Sequence, residues 1–216
     1  MTLSKAVVKG IEKLEISDES LRQFAVYEAL LRKWSAVKNL VSRSSLDDIW
    51  ERHLIDSAQV QRAAPAAIVW VDLGSGAGFP GLVTAILLSG IPDARVHLIE
   101  SDHRKCAFLR DVSRETGCNA VVHNQRIEDI ISGFETVDAV SARALAPLPQ
   151  LIDWCDPLLK KGALAVFPKG REVDSELTGI TTDSRFNLST HTSIMPGGGS
   201  LVLVRRRFSE TSGENT

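Results

Sequence analysis

Cysteine is scarce in this chain, with three residues, Cys106, Cys118 and Cys155, scattered and odd in number. They offer neither a disulfide framework nor metal-ligand spacing, so a reduced setting without structural zinc or any other metal is expected. Long apolar runs are also missing. The longest candidate, Gly81 to Gly90, is interrupted by Thr84 and Ser89 and falls short of the roughly 18 residues that a membrane span needs. The first residues, MTLSKAVVKGIEKLE, alternate charge with short apolar groups and lack the continuous apolar stretch of a secretory signal. A cytoplasmic location is the expectation. An excess of one charge sign is lacking too: 25 Lys and Arg stand against 27 Asp and Glu, a net charge of −2. That balance argues against a protein that coats nucleic acid nonspecifically. Local cation clusters do occur, at Arg32-Lys33, Lys38 with Arg43, Arg104-Lys105, Lys160-Lys161, Lys169 with Arg171, and Arg205-Arg206-Arg207. The plain reading of any one of them is a solvated surface.

What is present is ordinary for a folded soluble domain: 216 residues, 44% hydrophobic and 24% charged. There is no internal repeat. The apolar residues Leu21, Phe24, Tyr27, Leu31 and Trp34 recur at helical spacing, with Ser17, Asp18 and Glu19 as cap and first-turn acids. Ser45 with Asp48, followed by Ile49, Trp50, His53 and Leu54, signals a second helix with His53 on its apolar side. After Ala63-Ala64-Pro65 the texture changes. Short, largely apolar stretches at Ile68–Val71, Val96–Ile99, Ala120–Val122, Val137–Val140 and Ala163–Phe167 alternate with helical stretches at Arg104–Glu115 and Leu148–Leu159. Buried strands alternating with helices predict right-handed crossovers and a doubly wound α/β fold with a mostly parallel sheet. Gly197-Gly198-Gly199 before Leu201–Val204 predicts a C-terminal antiparallel hairpin instead of another crossover. Three segments are expected: an N-terminal helical cap over residues 1–64, a ligand-binding core over 65–208, and a flexible tail over 209–216.

The chain from Val71 reads V-D-L-G-S-G-A-G-F-P-G. Glycines at 74, 76 and 78 end a strand and open a helix, where backbone can approach a ligand and unpaired amides await it. Gly76, Gly78 and Gly81 satisfy the dinucleotide fingerprint, and Glu100 lies where a ribose-binding acid belongs. Either a nicotinamide dinucleotide or S-adenosyl-L-methionine presents a ribose diol there, and a carboxylate accepts from both hydroxyls. Asp72, inside the strand end, favours the methyl donor. So does the short chain, which leaves little room for a substrate domain. The one tyrosine, Tyr27, sits in the N-terminal helix, away from any reductase chemistry. Gly74, Gly76 and Glu100 are therefore candidate cofactor contacts.

Further motifs carry a resemblance. Val71-Asp72-Leu73-Gly74 through Phe79-Pro80-Gly81, Arg126-Ile127-Glu128-Asp129, Ser141-Ala142-Arg143-Ala144 and Pro168-Lys169-Gly170 follow one another in order. Trp34 to Leu40 and Arg52-His53-Leu54-Ile55-Asp56-Ser57 precede them. From about residue 20 to 205 the chain resembles the glucose-inhibited division protein B family, bacterial methyltransferases that modify N7 of a guanine in small-subunit ribosomal RNA. The resemblance implies a Rossmann-like class I methyltransferase fold and S-adenosyl-L-methionine as cofactor. Its expected substrate is 16S ribosomal RNA, within the 30S particle. It also implies cofactor contacts at Gly74, Phe79, Ile127, Glu128 and Arg143. In a doubly wound sheet all of these lie in loops beyond strand C-termini, where the ligand crevice is found.

Guanine N7 carries an in-plane lone pair and no proton, so such a transfer needs no general base, and no catalytic acid or base is assigned. Its rate is expected to come from proximity and orientation. Arg143 and Lys169 are candidates for guanine or phosphate contacts, and the cation clusters for RNA binding. Packing accounts for the apolar helix positions but not for Asn39, Arg52, His53 and Asp56 together, so the helical third is expected to close over the crevice and help hold the guanine. A nicotinamide-dependent reductase and a noncatalytic ribosome-assembly factor on a methyltransferase fold are the alternatives.

Overall fold

The five apolar stretches pair as parallel strands whose alternate residues face opposite sides of one sheet. In the computed structural model, the described residues are 3–38, 40, 46–170, 173–178, 180 and 183–208. Asn39, Arg43, Ser45, Arg171 and the segment 209–216 lie outside them. Strands β1 (Val69–Leu73), β2 (Arg95–Ile99), β3 (Ala120–His123), β4 (Ala139–Ala142) and β5 (Leu164–Lys169) run parallel. Strands β6 (Phe186–Thr192) and β7 (Ser200–Arg206) form the hairpin. The sheet order is β3-β2-β1-β4-β5-β7-β6, with β7 antiparallel to both β5 and β6. The order reverses between β1 and β4, so the crevice opens beyond the C-terminal ends of those strands. The fourth strand begins two residues later than the stretch at Val137 suggested. Asp138 precedes it, and its Oδ2 accepts from the amides of Ile68 and Val69 at 2.9 Å each, tying the starts of β1 and β4 together.

The N-terminal third is helical, as its periodicity predicts. Helix α1 (Lys5–Lys13) starts at Ser4, whose Oγ accepts from the Val7 amide at 3.2 Å. Helix α2 (Asp18–Lys38) starts after Ser17, whose Oγ accepts from the Ser20 amide at 3.1 Å. The second predicted helix is wound more widely than an α-helix: Trp50–Ile55 forms a π-helical segment that runs into α3 (Asp56–Ala63). Single π turns of this kind recur at functional sites. The crossovers are α4 (Gly81–Leu87), α5 (His103–Thr116), the short α6 (Ile127–Ile130) and α7 (Leu148–Leu159); α8 (Val173–Leu177) follows β5. Helix α5 is capped by Asp102, which accepts from Arg104 and Lys105, and ends at Gly117 with φ +68°.

Each face of the sheet buries its own cluster. On one, Trp70, Val96 and Leu98 pack with Leu82 and Phe108 of the crossovers and with Phe24, Tyr27, Leu31, Ile49 and Leu54 of the N-terminal helices. On the other, Val71, Leu73 and Val140 pack against Leu148, Leu151, Ile152 and Cys155 of α7. The N-terminal helices thus share a core with one crossover layer. No helix among the described residues is long and apolar enough to cross a membrane.

Candidate functional site

The loop after β1 turns sharply because three glycines adopt positive φ: +60° at Gly74, +56° at Gly76 and +94° at Gly78. Their roles differ. A Cβ at Gly74 would come within 2.5 Å of Leu145, so this glycine lets the loop after β4 fold over the turn. At Gly76 the nearest atom would be the Gly74 carbonyl oxygen, 3.7 Å away. That face is open, as a backbone awaiting a ligand requires. Gly81 meets a further constraint: its Cβ would lie 2.6 Å from Asp72 Oδ2.

Glu100 ends β2 and braces the turn. It is 7% exposed, and its Oε2 accepts from the Gly76 amide at 2.9 Å while Oε1 accepts from the Asp102 amide at 2.8 Å. Each carboxylate oxygen retains a lone pair. Gly74, Gly76, Phe79, Glu100, Ile127, Glu128 and Arg143, all of the residues expected around the cofactor, line one cavity of about 490 Å³. Helix α6 begins at Ile127 with no side chain capping it, so its first amides lack an intrahelical partner. Lys105, Gln125, Leu145 and Trp154 share the lining, and no motif singled out the last three. Trp154 carries a faint signal: it is a large apolar side chain off the buried stripe of α7 formed by Leu151, Ile152, Cys155 and Leu158. Open backbone at Gly76, a fixed carboxylate at Glu100 and a cavity of this size fit a ribose-bearing cofactor.

Asp72 does not reach the cavity. It is 1% exposed, and its Oδ1 accepts from Ser141 Oγ at 2.7 Å, which couples β1 to β4. Among the described residues Oδ2 is buried without a hydrogen-bond partner. Burial pushes its pKa up from 3.8 to about 6, against the opposing pull of the Ser141 hydroxyl and the Arg143 charge. Its place is beneath the glycine turn, not at the amino-acid end of a cofactor.

Arg143, just past β4, joins the cavity to the N-terminal helices. Its guanidinium lies 5.0 Å from the centroid of the Phe79 ring, donates to the Arg52 carbonyl at 3.3 Å, and donates to His53 Nδ1 at 2.9 Å. His53 stacks on Phe79 with centroids 4.9 Å apart, and Tyr27 stacks on Phe79 at 5.2 Å. The Tyr27 hydroxyl donates to the Ala77 carbonyl, so α2 holds the glycine turn directly. Burial and the charges of Arg143 and Arg52 lower the His53 pKa from 6.5 to about 4. The ring is therefore neutral near pH 7, accepts at Nδ1 and carries its proton on Nε2. His53 lies on the apolar side of its helix as its register suggested, and among the described residues its buried Nε2 has no hydrogen-bond partner.

A second cavity, of about 590 Å³, shares Arg143 and Ala144 with the first. Glu51, Arg52 and Asp56 line one side, and Lys169 with the glycine run 197–199 lines the other. Lys169 is largely committed: its Nζ pairs with Glu176 at 2.7 Å and donates to the Ala146 carbonyl at 3.1 Å. The Arg205–Arg207 run, a candidate for RNA binding, sits elsewhere. Val204 pairs with Ala165 near the start of β5, whereas Ser200 pairs with Lys169 at its end. The arginines thus lie at the end of the sheet away from both cavities, where Arg206 pairs with Asp156. Among the described residues no group of three or more His, Cys, Asp or Glu side chains is placed to hold a metal ion.

Comparison with known proteins gives the family and the fold. The chain is 56% identical over 164 residues to a ribosomal RNA small subunit methyltransferase G of Rhodospirillum centenum, covering 76% of this chain and 73% of the relative. It is 46% identical over 200 residues to the protein of that name from Methylobacterium nodulans, covering 92% of each. Among solved structures, the fold is similar to cofactor-bound Rv0187 from MTB, with a TM-score of 0.63, 14% identity, and coverage of 96% and 99%. It is also similar to the SAH-bound Podospora anserina methyltransferase PaMTH1, with a TM-score of 0.60, 11% identity, and coverage of 96% and 98%. The GidB family model, described as rRNA small subunit methyltransferase G, matches residues 20–199, and the chain belongs to that family.

Proposed function

We propose that this chain is a methyltransferase that moves a methyl group from S-adenosyl-L-methionine to N7 of a guanine in small-subunit ribosomal RNA. One observation carries the reading: two cavities meet at Arg143 and Ala144, one lined by the glycine turn and Glu100, the other open toward the N-terminal helices. In this reading the first cavity takes the cofactor and the second the acceptor base. Glu100 accepts from the ribose hydroxyls, the open face at Gly76 admits the cofactor against backbone, and the amides of Ile127 and Glu128 meet the adenine edge. When bound, S-adenosyl-L-methionine supplies an electrophilic methyl group on a sulfonium.

The protein's own contribution is placement. Guanine N7 has its lone pair free, so the residues need only hold the base in line and keep water out. Arg143, fixed by His53, Phe79 and the Arg52 carbonyl, stands at the junction of the cavities. There it offers a donor to guanine O6 beside the reacting nitrogen, which orients the base for in-line attack. Residues 1–64 act as a cap on the core of 65–208, a division supported by the Tyr27–Ala77 and His53–Arg143 hydrogen bonds that cross it. A ribosomal substrate implies that the protein works in the cytoplasm, on the 30S particle. The test is incubation with labelled S-adenosyl-L-methionine and 30S subunits lacking the modification, followed by mapping of the labelled base. Label at one guanine N7 is expected. Cofactor binding without label would favour the assembly-factor reading, and affinity for a nicotinamide dinucleotide in its place the reductase.

A further inference from the structure

Asp56 opens α3 and lines the second cavity. One of its carboxylate oxygens is occupied from the protein side: Oδ1 accepts from Gln59 Nε2 and from Ser193 Oγ, each at 2.9 Å. Oδ2 accepts no hydrogen bond among the described residues. The carboxylate is therefore oriented by one oxygen and presents the other to the cavity.

The hydroxyl that orients it is delivered by the glycine run between β6 and β7. A Cβ at Gly198 would lie 2.3 Å from Ser193 Oγ, and a Cβ at Gly199 would lie 1.8 Å from the Lys169 carbonyl oxygen. Only residues without side chains let this connection close on itself and on the end of β5. The Ile194 amide then donates to Gln59 Oε1 at 2.8 Å, docking the same connection on α3. A simple hairpin turn needs neither the three consecutive glycines nor the contact with α3. Together they build one wall of the cavity and fix the rotamer of the carboxylate opposite Arg143.

Resting on the proposed function, the geometry points to Asp56 as the residue that reads the acceptor base, its carboxylate accepting from the N1–H and N2–H groups of guanine. Guanine presents two adjacent donors on this edge, and the lone pairs of the one free oxygen, Oδ2, accept from both. Adenine presents no N1–H, and inosine lacks the N2 amine. A site built around a fixed acceptor rejects bases that leave it unpaired. The edge bearing N7 lies across the ring from N1 and N2, so a base held at Asp56 turns N7 away from α3. Arg143, close enough to Asp56 to interact electrostatically, stands between the two cavities. Unstacked RNA bases are commonly recognised through such edges.

The test uses the full chain with Asp56→Asn and Asp56→Ala variants, 30S subunits lacking the modification, and the free nucleotides GMP and IMP. Asparagine keeps the shape but sets an amide donor against the donors of guanine. Wild-type methylation of the subunits checks the underlying function separately. With that in place, kcat/KM is expected to fall at least tenfold in Asp56→Asn while affinity for S-adenosyl-L-methionine stays within threefold. In saturation-transfer NMR the wild type should favour GMP over IMP, and Asp56→Ala should lose that preference, which a purely structural role would not change. Unaltered kcat/KM in Asp56→Asn, an equal GMP preference in wild type and Asp56→Ala, or no GMP signal in either would overturn the assignment.

Discussion

The Arg143 guanidinium and His53 Nδ1 lie 2.9 Å apart, and this hydrogen bond ties the loop after β4 to the π-helical segment ahead of α3. With the His53 pKa lowered to about 4, the imidazole stays a neutral acceptor through the physiological range. His53→Ala removes that acceptor and the ring stacked on Phe79. A hydrogen bond to a charged group contributes about 1.5–3 kcal/mol, so methylation of subunits should fall roughly tenfold to hundredfold. Cofactor affinity, carried mainly by Glu100 and the glycine turn, should change much less. His53→Gln, which keeps an acceptor, should recover part of the loss. Normal methylation, or early melting as the only effect, would reduce the N-terminal helices to scaffold.

Glu100 holds two backbone amides and, in the proposed complex, two ribose hydroxyls. Glu100→Ala should weaken binding of S-adenosyl-L-methionine by at least tenfold, since the lost charge-assisted bonds are together worth on the order of 2–4 kcal/mol. Calorimetry gives the answer directly. A change below about threefold would mean that the carboxylate serves the turn alone.

Asp72 makes the folded protein sensitive to pH in an unusual direction. Its pKa is raised from 3.8 to about 6 by burial, so between those values the native state holds the proton more tightly than the unfolded chain. Its contribution to stability is full below about pH 4, declines as pH rises to about 6, and stays lower beyond. Two pKa units correspond to about 3 kcal/mol at most. Asp72→Asn, neutral throughout, should therefore gain stability relative to wild type on going from pH 5 to pH 8. Urea unfolding of the cofactor-free proteins at both pH values measures it. An equal difference at the two pH values would show that the Asp72 carboxyl is not desolvated.

The parallel sheet was legible because β1, β4 and β5 are almost wholly buried and, with β2, read as short, largely apolar stretches between helical ones. β6 was not. Its sequence, Phe186-Asn187-Leu188-Ser189-Thr190-His191-Thr192, is a mostly exposed edge strand with little apolar content, paired among the described residues with β7 alone. The widened winding of Trp50–Ile55 leaves no trace either, since apolar residues at 49, 50 and 54 suit an α-helix equally well. In the site, the glycine turn and Glu100 were readable from spacing, because both follow the register of adjacent strands. The Tyr27–Phe79–His53 stack was not, because its three rings come from three separate elements. Asp56 and Ser193 lie 137 positions apart, and only the tertiary fold makes them partners.

Two arginines at opposite ends of the sheet offer alternative RNA contacts that salt dependence can separate. Arg52 is exposed on the rim of the second cavity, while Arg205 lies at the opposite end of the sheet, beside the start of β5. Each phosphate neutralised by Lys or Arg steepens the fall of RNA affinity with salt. If RNA enters over the N-terminal helices to reach the second cavity, Arg52→Ala should flatten that slope by about one phosphate contact, and Arg205→Ala should leave it unchanged. Neither substitution should alter cofactor affinity, since neither side chain lines the first cavity. The measurement is 30S binding across a salt series with both variants and wild type. A slope flattened by Arg205→Ala but not by Arg52→Ala would put the RNA on the hairpin end of the sheet. The acceptor base could not then reach Asp56 and Arg143 from that side, and the second cavity would lose its assignment.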